Sequence, residues 1–202
     1  DSKLYERYLT HGRPELVENT KMQSLPGLFS GKKPDAGSQM LVDMIEQEDL
    51  SGRGADFGAG WGFLSHRALK MSPRIQEMHL FEAEERALQC AELNISALTE
   101  NANNKTTDVF YHWSDIPSET FNARFDFILC NPPQHSVSNT DSSLVLQFIE
   151  QCGAALKTGG VLWLVTNQHI PAKKMLASYA LNAELKDHDN HYAVYRAVKN
   201  SS

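Results

Sequence analysis

Short apolar runs alternate with amphipathic helical stretches over most of this 202-residue chain. The apolar runs have the length of strands, and the stretches between them repeat apolar residues at helical spacing. Alternation of this kind predicts a mostly parallel sheet with helices on both of its faces. The last strand alternates apolar and polar residues after a short polar turn, which predicts an antiparallel strand at the edge of the sheet or inserted within it. The predicted fold class is α/β: a doubly wound, mostly parallel sheet with one antiparallel strand.

The bounds of the elements follow from the same periodicity. The predicted helices are 37–48, 63–70, 84–98, 142–156 and 173–179. The predicted strands are 54–57, 75–81, 108–112, 124–130, 161–165, 183–186 and 192–198. Glycine and proline punctuate the first 34 residues, which are predicted to form an N-terminal extension or linker (1–34) ahead of one domain (35–202).

The overall charge limits what the chain can bind without help. The net charge is −6, which counts against strong unaided binding of a long nucleic acid but not against reading one nucleotide in a pocket. Basic residues in the N-terminal third form either a local basic face or a set of scattered, solvated side chains. These residues are Lys3, Arg7, Arg13, Lys21, Lys32 and Lys33.

The cysteine count and the apolar runs indicate a cellular compartment. The three cysteines are few, odd in number and far apart, which favours a reducing, cytoplasmic setting over a disulfide framework. No apolar run approaches the roughly 18–20 residues needed to span a bilayer, and the polar N-terminus has no signal-peptide pattern. The histidines lack metal-ligand spacing, so no metal site is expected. The chain begins at Asp1 rather than Met, which is compatible with a fragment or a trimmed form of a longer protein.

A pair of prolines follows one of the predicted buried strands. Strand 124–130 is followed by Asn131, Pro132 and Pro133. Proline has no N–H and a fixed φ, so two in succession end a strand in a rigid turn. The turn lies at the carboxyl end of a strand, where open α/β sheets bind their ligands. The Asn131 side-chain carbonyl and the backbone carbonyls of the turn form a cluster of acceptors suited to an NH2 group.

A glycine-rich turn joins the first regular strand to the next helix. Asp56 is followed by Gly58, Gly60 and Gly62 at alternate positions, and such a turn lets the backbone pass close to a ligand at a helix N-terminus. A dinucleotide-binding fingerprint requires a third glycine where Phe63 stands, so NAD is disfavoured. The alternative is a tight strand-to-helix turn that binds nothing.

Acidic residues follow the next two strands. Glu82 lies at the end of strand 75–81, where a carboxylate can accept both hydroxyls of a ribose. Asp115 follows strand 108–112 and can accept an adenine amino group, while Trp113 or Ile116 covers the ring. An ordinary turn at Asp115 is the alternative. Together with the glycine-rich turn and Asn131, these residues would share one rim of the sheet.

The pattern of these residues resembles that of the class I S-adenosylmethionine-dependent methyltransferases that modify nitrogen. That resemblance implies a Rossmann-like fold. The hallmarks of that class are a glycine-rich first loop and an Asn-Pro-Pro-aromatic turn after the fourth strand. The closer resemblance is to the catalytic half of the RsmC-type ribosomal RNA guanine-N2 methyltransferases, and it covers about residues 24–198. The stretches that carry it are 25–30, 35–41, 131–135, 159–165 and 192–196.

The resemblance implies S-adenosyl-L-methionine as cofactor and the exocyclic N2 amine of a guanine in ribosomal RNA, within the small subunit, as substrate. The implied cofactor-binding residues are Asp56, Gly58, Gly60, Gly62, Glu82, Trp113, Asp115 and Asn131. The implied catalytic turn is Asn131, Pro132, Pro133, Gln134 and His135. His135 either positions the base and relays its proton or is a surface or helix-cap residue. Phe29 either covers the cofactor or target or anchors its own segment by packing.

The chain departs from the family pattern in two respects. Gln134 occupies the position of an aromatic residue that would stack on the target base. A second, degenerate methyltransferase-like half commonly precedes the catalytic one in that family. This chain either lacks that half or has been cut to the catalytic half, so a missing N-terminal domain or a partner would position the RNA. Two alternatives remain open: an N-methyltransferase acting on a protein glutamine, a DNA base or a small molecule, and a non-catalytic cofactor-binding module.

Overall fold

The computed structural model describes residues 12–46, 48, 50–99, 107–134 and 139–201. The helices are α1 (Ala36–Ile45), α2 (Phe63–Met71), α3 (Glu85–Thr99), α4 (Asn139–Ala155) and α5 (Ala172–Ser178). The strands are β1 (Glu15–Leu16), β2 (Gln23–Ser24), β3 (Ser51–Phe57), β4 (Arg74–Glu82), β5 (Asp108–Trp113), β6 (Phe125–Cys130), β7 (Leu156–Asn167), β8 (Leu181–His188) and β9 (Tyr192–Lys199). None of the helices in the described part of the chain is both long enough and apolar enough to cross a membrane.

Seven strands form the main sheet in the order β5-β4-β3-β6-β7-β9-β8. Strands β5, β4, β3, β6 and β7 run parallel to one another. Strand β9 is antiparallel to both β7 and β8. Strand β9 is therefore inserted rather than at the edge. The predicted fold class, a mostly parallel α/β sheet with an antiparallel strand, is confirmed.

Helices cover both faces of this sheet, because each face is apolar. The buried side chains of α1, α2 and α3 form one core cluster, and those of α4 and α5 form the other. Near-continuous apolar strands between two helical layers are the expected consequence of a parallel sheet. This doubly wound arrangement brings the carboxyl ends of β3, β4, β5 and β6 to one rim.

Strand β7 begins earlier than the sequence pattern predicted. The predicted strand was 161–165, whereas β7 runs from Leu156 to Asn167 and contains both Gly159 and Gly160. Gly159 has a φ of +80°, and the pairing register with β6 shifts in this region. A Cβ on Gly160 would come within 2.9 Å of the Lys157 carbonyl oxygen. The glycine pair therefore forms an irregularity inside a strand rather than the end of a helix.

The described part of the predicted extension, residues 12–34, packs against the domain. Val17 and Met22 are buried in the same cluster as α1, α2 and α3. Asn94 of α3 is buried and forms hydrogen bonds with both the lead-in residues and the glycine-rich turn. Its Oδ1 accepts from the Gln23 N–H. Its Nδ2 donates to the carbonyls of Gln23 and Trp61. One side chain thus joins this lead-in segment (12–34) to the glycine-rich turn.

Asp56 holds the start of α2 against the end of β3. Its Oδ2 accepts hydrogen bonds from the Ser65 N–H (3.1 Å) and the Ser65 hydroxyl (2.7 Å). The side chain is fully buried, and Oδ1 has no hydrogen-bond partner among the described residues. Burial raises the pKa of Asp56 to about 7, although the Ser65 bonds oppose the shift.

We predict that Asp56→Asn removes a pH dependence of stability. The folded-state pKa of about 7 lies above the ordinary value of 3.8, so the stabilisation is complete below about pH 4 and is lost as the pH rises through about 7. Urea denaturation of both proteins at several pH values measures this. The free energy of unfolding of the variant, relative to the native chain, should rise between these limits and level off above them. A difference that does not change with pH would contradict the assignment.

Candidate active site

A cavity of about 250 Å³ lies at the carboxyl ends of β3, β4, β5 and β6. A smaller chamber of about 50 Å³ adjoins it, and the two share Phe29, Gly58, Gly60, Trp61 and Asn131 in their walls. The larger cavity is lined by Leu28, Phe29, Gly58, Gly60, Trp61, Phe81, Glu82, Ala83, Glu84, Ala87, Ser114, Asp115, Ile116, Asn131, Pro132, Pro133, Leu144 and Phe148. The four strand ends singled out in the sequence therefore meet at one cavity.

The glycine-rich turn forms the floor of this cavity. The N–H groups of Gly58 and Ala59 both donate to the Phe81 carbonyl at 3.0 Å, which ties the turn to the end of β4. Gly60 has a φ of +55°, and a Cβ built on it meets no atom within 4 Å. A side chain at this position would therefore be strained and would project into open space. The absence of one keeps the backbone accessible to a ligand.

Glu82 closes one side of the floor. Its Oε2 accepts from the Gly60 N–H at 2.7 Å, and its Oε1 accepts from the Glu84 N–H at 2.8 Å. These bonds fix the carboxylate at the cavity wall while leaving each oxygen with further lone pairs. Vicinal hydroxyl groups of a ribose are the type of donor that such a carboxylate accepts.

The next wall comes from the turn after β5. Asp115 and Ile116 line the cavity, and Ile116 is 2% exposed. The Asp115 Oδ2 accepts from the Ser118 hydroxyl. Trp113 is not among the lining residues: it is 68% exposed, and its indole N–H donates to the Ala83 carbonyl. Of the two side chains considered for covering a ring, the geometry favours Ile116 and gives the expected Trp113 contact no support.

Asn131 faces both chambers with a fixed amide. Its Nδ2 donates to Asp35 Oδ2 (2.9 Å) and to the Ser38 hydroxyl (2.8 Å). An ionised carboxylate accepts hydrogen bonds and cannot donate them, so the group facing Asp35 must be the NH2. Both donors are thereby used inside the protein. Oδ1 is then the available polar atom, and none of the described residues donates to it.

Asp35 is itself held from two directions. It is the N-cap of α1, where its Oδ2 also accepts from the Ser38 N–H at 2.8 Å. From β9, the Tyr192 hydroxyl donates to its Oδ1 at 3.4 Å. Burial, with the nearby Asp35 carboxylate adding to it, raises the pKa of Tyr192, which keeps the phenol protonated as a donor.

The remaining residues of the proline turn divide between the cavity and the sheet. Pro132 and Pro133 line the cavity. The Gln134 side chain turns towards β7: its Nε2 donates to the carbonyls of Pro132 (3.2 Å) and Val165 (3.4 Å), and its Oε1 accepts from the Asn167 N–H. Gln134 thus braces the turn rather than lining the cavity. His135 lies outside the described residues.

Asp56 and Gly62, which were expected to contact the ligand, have structural roles in this geometry. Asp56 is buried beneath the turn and bonds to Ser65. Gly62 caps α2 with a φ of +84°, and a Cβ there would come within 3.0 Å of the Ala91 Cβ. Gly62 is needed for the close approach of α2 to α3, and neither it nor Asp56 lines the cavity.

The lead-in segment forms the outer wall. Phe29 is 57% exposed although it lines both chambers. The Trp61 indole N–H donates to the Phe29 carbonyl at 3.2 Å, which holds this segment on the glycine-rich turn. Phe29 is therefore placed at the mouth of the cavity, where a side chain can cover a bound ligand.

Sequence reasoning missed the residues that orient Asn131, namely Asp35, Ser38 and Tyr192. Asp35 does carry a local signal, since an Asp ahead of a helical stretch is a common N-cap. Nothing local connects it to Asn131, which lies 96 positions away. Within the described ranges, no group of three or more His, Cys, Asp or Glu side chains is arranged to hold a metal ion.

Comparisons with known proteins give relatives that match most of this chain. A ribosomal RNA small subunit methyltransferase C from Shewanella pealeana is 31% identical over 181 residues, which cover 87% of this chain and 48% of that protein. The protein of the same name from Hamiltonella defensa is 32% identical over 182 residues, covering 90% and 51%. The chain spans about half the length of these curated relatives.

A solved structure with the same fold is the Thermus thermophilus 16S rRNA N2 G1207 methyltransferase RsmC, in complex with AdoMet and guanosine. The TM-score is 0.72 at 23% identity, over 93% of this chain and 50% of that one. A model of the family described as methyltransferase small domain matches residues 19–196. That match covers most of the chain, including every described wall of the cavity, and the chain belongs to the methyltransferase small domain family.

Proposed function

We propose that this domain is an S-adenosylmethionine-dependent N-methyltransferase that acts on the exocyclic N2 amine of a guanine in small-subunit ribosomal RNA. The observation that carries the proposal is the Asn131 amide, whose NH2 is held by Asp35 and Ser38 so that its carbonyl is left for a substrate. The names of the similar proteins support the acceptor. The family supports the type of reaction.

The cavity residues fit the adenosyl cofactor. Gly60 leaves open space where a Cβ would stand, and Glu82 and Asp115 present carboxylate oxygens on adjoining walls. Hydroxyl and amino groups of a nucleoside are complementary donors for these oxygens. The larger chamber, at about 250 Å³, lies just below the usual range of ligand pockets, roughly 300–1,000 Å³, and the smaller chamber of about 50 Å³ adjoins it. When bound, the cofactor supplies a sulfonium methyl group that is already activated towards attack by nitrogen.

The protein must then align the amine and accept hydrogen bonds from its N–H groups. An exocyclic guanine nitrogen is a weak nucleophile because its lone pair is delocalised into the ring. In the proposed complex the Asn131 Oδ1 and the Pro132 carbonyl accept its two N–H groups, which favours a pyramidal nitrogen. Gln134 donates to the same Pro132 carbonyl, but a carbonyl oxygen has two lone pairs and retains one for the substrate. Acceptors fixed before substrate arrives also stabilise the positive charge that develops on nitrogen.

The proposed setting is the cytoplasm, with a further domain or a partner helping to position the RNA. The three cysteines are free and buried, which suits a reducing compartment. The relatives are about twice as long as this chain, which leaves room in them for a second domain.

The decisive experiment is transfer of a tritiated methyl group from S-adenosylmethionine to three acceptors: unmodified small ribosomal subunits, total RNA and a protein extract. The proposal predicts incorporation into RNA, recovered after digestion as N2-methylguanosine. Because Gln134 braces β7 and leaves no aromatic ring at its position, a different acceptor is the second candidate. Label in protein or in a metabolite would select it, and cofactor binding without transfer would indicate a non-catalytic module.

Removing the carboxylate at position 82 is expected to weaken cofactor binding. Glu82→Ala deletes the proposed ribose acceptor and the bond to the Gly60 N–H, so we expect the Kd of S-adenosylhomocysteine to rise by roughly 10–100-fold, the scale of one or two charge-assisted hydrogen bonds. Titration calorimetry measures this. Glu85→Ala, which removes an exposed carboxylate from the first turn of α3, is the matched control. Equal affinity in the Glu82 and Glu85 variants would refute the role.

Truncating the amide at position 131 is expected to affect turnover rather than cofactor binding. Asn131→Ala should lower kcat by about 10²-fold or more while leaving the Kd of S-adenosylhomocysteine nearly unchanged, because the lost acceptor serves the amine. Asn182→Ala, at an exposed position of β8, controls for a generic Asn truncation. Full activity of Asn131→Ala, or an equal loss of turnover and cofactor affinity, would rule out this role.

A further inference from the structure

A second large cleft lies outside the candidate active site. It has a volume of about 1080 Å³ and runs between the lead-in segment, α2 and the outer part of α3. Four cationic side chains line it: Lys21 and Lys33 from the lead-in segment, and Arg67 and Lys70 from α2. We call this feature the basic cleft.

Within the described part of the chain, three of the four cations of the basic cleft have no balancing carboxylate. Its described lining residues include no Asp or Glu. Arg67 forms an ion pair with Glu46, the residue that follows α1; the distance from Nη2 to Oε1 is 2.7 Å. Lys21, Lys33 and Lys70 are exposed and form no ion pair with any described carboxylate. In a chain whose net charge is −6, this concentration of cations is a local feature that the overall charge conceals.

His66 reports on the same local charge. It lines the basic cleft, and burial, together with the nearby Lys70 and Arg67, lowers its pKa to about 4. His66 is therefore neutral at pH 7. The positive charge of the cleft therefore comes from its three lysines and its arginine.

The basic cleft and the smaller chamber beside Asn131 are walled by the same segment of the chain. Residues 33, 34 and 36 line the cleft. Asp35 lies between them in the chain, lines the smaller chamber and accepts a hydrogen bond from Asn131. Phe63 lies in the walls of both spaces. Consecutive Cα atoms are about 3.8 Å apart, so the step from the cationic cleft to the candidate catalytic side chain is the length of a few residues.

We propose that the basic cleft binds the ribose–phosphate backbone of the substrate RNA beside the target nucleotide. The inference rests on the proposed function, since it assigns the surface that holds the remainder of that substrate. Lysines and an arginine supply sequence-independent contacts to phosphates. Two neutral polar side chains in the same walls, Asn19 and Gln39, are suited to phosphate oxygens and 2′-hydroxyls. Such contacts fix the register of the strand while the candidate active site selects the base.

The test is the salt dependence of binding, measured by fluorescence anisotropy with a short, fluorescein-labelled single-stranded RNA and the full 202-residue chain. The variant is Lys33→Gln with Lys70→Gln. The matched control is Lys157→Gln with Lys186→Gln, which changes the net charge equally at positions outside the cleft and removes only surface ion pairs. Thermal unfolding and calorimetry with S-adenosylhomocysteine verify that fold and cofactor affinity are retained in both.

At salt concentrations of about 50 to 200 mM, the cleft variant should bind RNA about 10-fold or more weakly than the native chain does. The slope of log K against log salt should become shallower by about 1.4, corresponding to two phosphate contacts at about 0.7 each. The control should match the native chain. Poly-L-glutamate should compete less well than unlabelled RNA of equal charge.

Other outcomes overturn the inference and separate it from the proposed function. If the cleft variant binds RNA as the control does, or if poly-L-glutamate competes equally, the cleft is not an RNA-backbone site, and methyl transfer to RNA by the native chain would leave the proposed function intact. If the native chain binds no RNA and its methyl groups appear in protein or a metabolite, both the inference and the RNA acceptor fail.

Discussion

The candidate site depends on one hydrogen-bonded contact between residues distant in the sequence: the Asn131 amide against the Asp35 carboxylate. A carboxylate accepts only, so it determines which end of the amide it meets. The Ser38 hydroxyl takes the second N–H, and the Tyr192 phenol holds the carboxylate from β9. The proline turn, the cap of α1 and the inserted antiparallel strand therefore act together on one side chain. A rigid acceptor is what a weakly nucleophilic amine requires, because the alignment is made before the amine arrives.

The features that the sequence predicted well are those specified by local chemistry. Alternating apolar and amphipathic stretches were enough for the α/β class. Gly58, Gly60 and Glu82 could be assigned to one rim because each lies at or just beyond the carboxyl end of a strand, and parallel strands end together. The structure brings all three to one cavity with Asp115 and Asn131.

The features that were missed depend on three-dimensional packing. Trp113 and Ile116 are equally plausible ring covers in sequence, and only the path of the turn after β5 places Ile116 in the wall and Trp113 outside it. The strand β7 contains a glycine pair that local rules interpret as a break, although pairing with β6 continues past it. Gln134 stands where the resemblance led us to expect an aromatic ring, and its contacts with β7 could be seen only once both elements were in place. The contact between Asp35 and Asn131 belongs to the same group.

Charge shows a similar contrast between the chain and its surface. A net charge of −6 counts against unaided RNA binding, but charge acts through its local distribution as well as its sum. Lys21 and Lys33 are on one segment and Lys70 is on another, and packing places them around one cleft. Lys3 and Arg7, two other members of the basic N-terminal third, lie outside the described residues. The contact between the lead-in segment and α3 through Asn94 is therefore relevant to both the cavity and the cleft.

The most direct test of the central contact is a double-mutant cycle on kcat with Asp35→Ser and Asn131→Ala. Serine retains an N-cap for α1 but is too short to hold the Asn131 amide as Asp35 does. If Asp35 acts by orienting Asn131, Asp35→Ser should lower kcat by about 10-fold or more in the native background and have almost no effect in the Asn131→Ala background. Losses that multiply in the double variant, or full turnover in Asp35→Ser, would contradict the account.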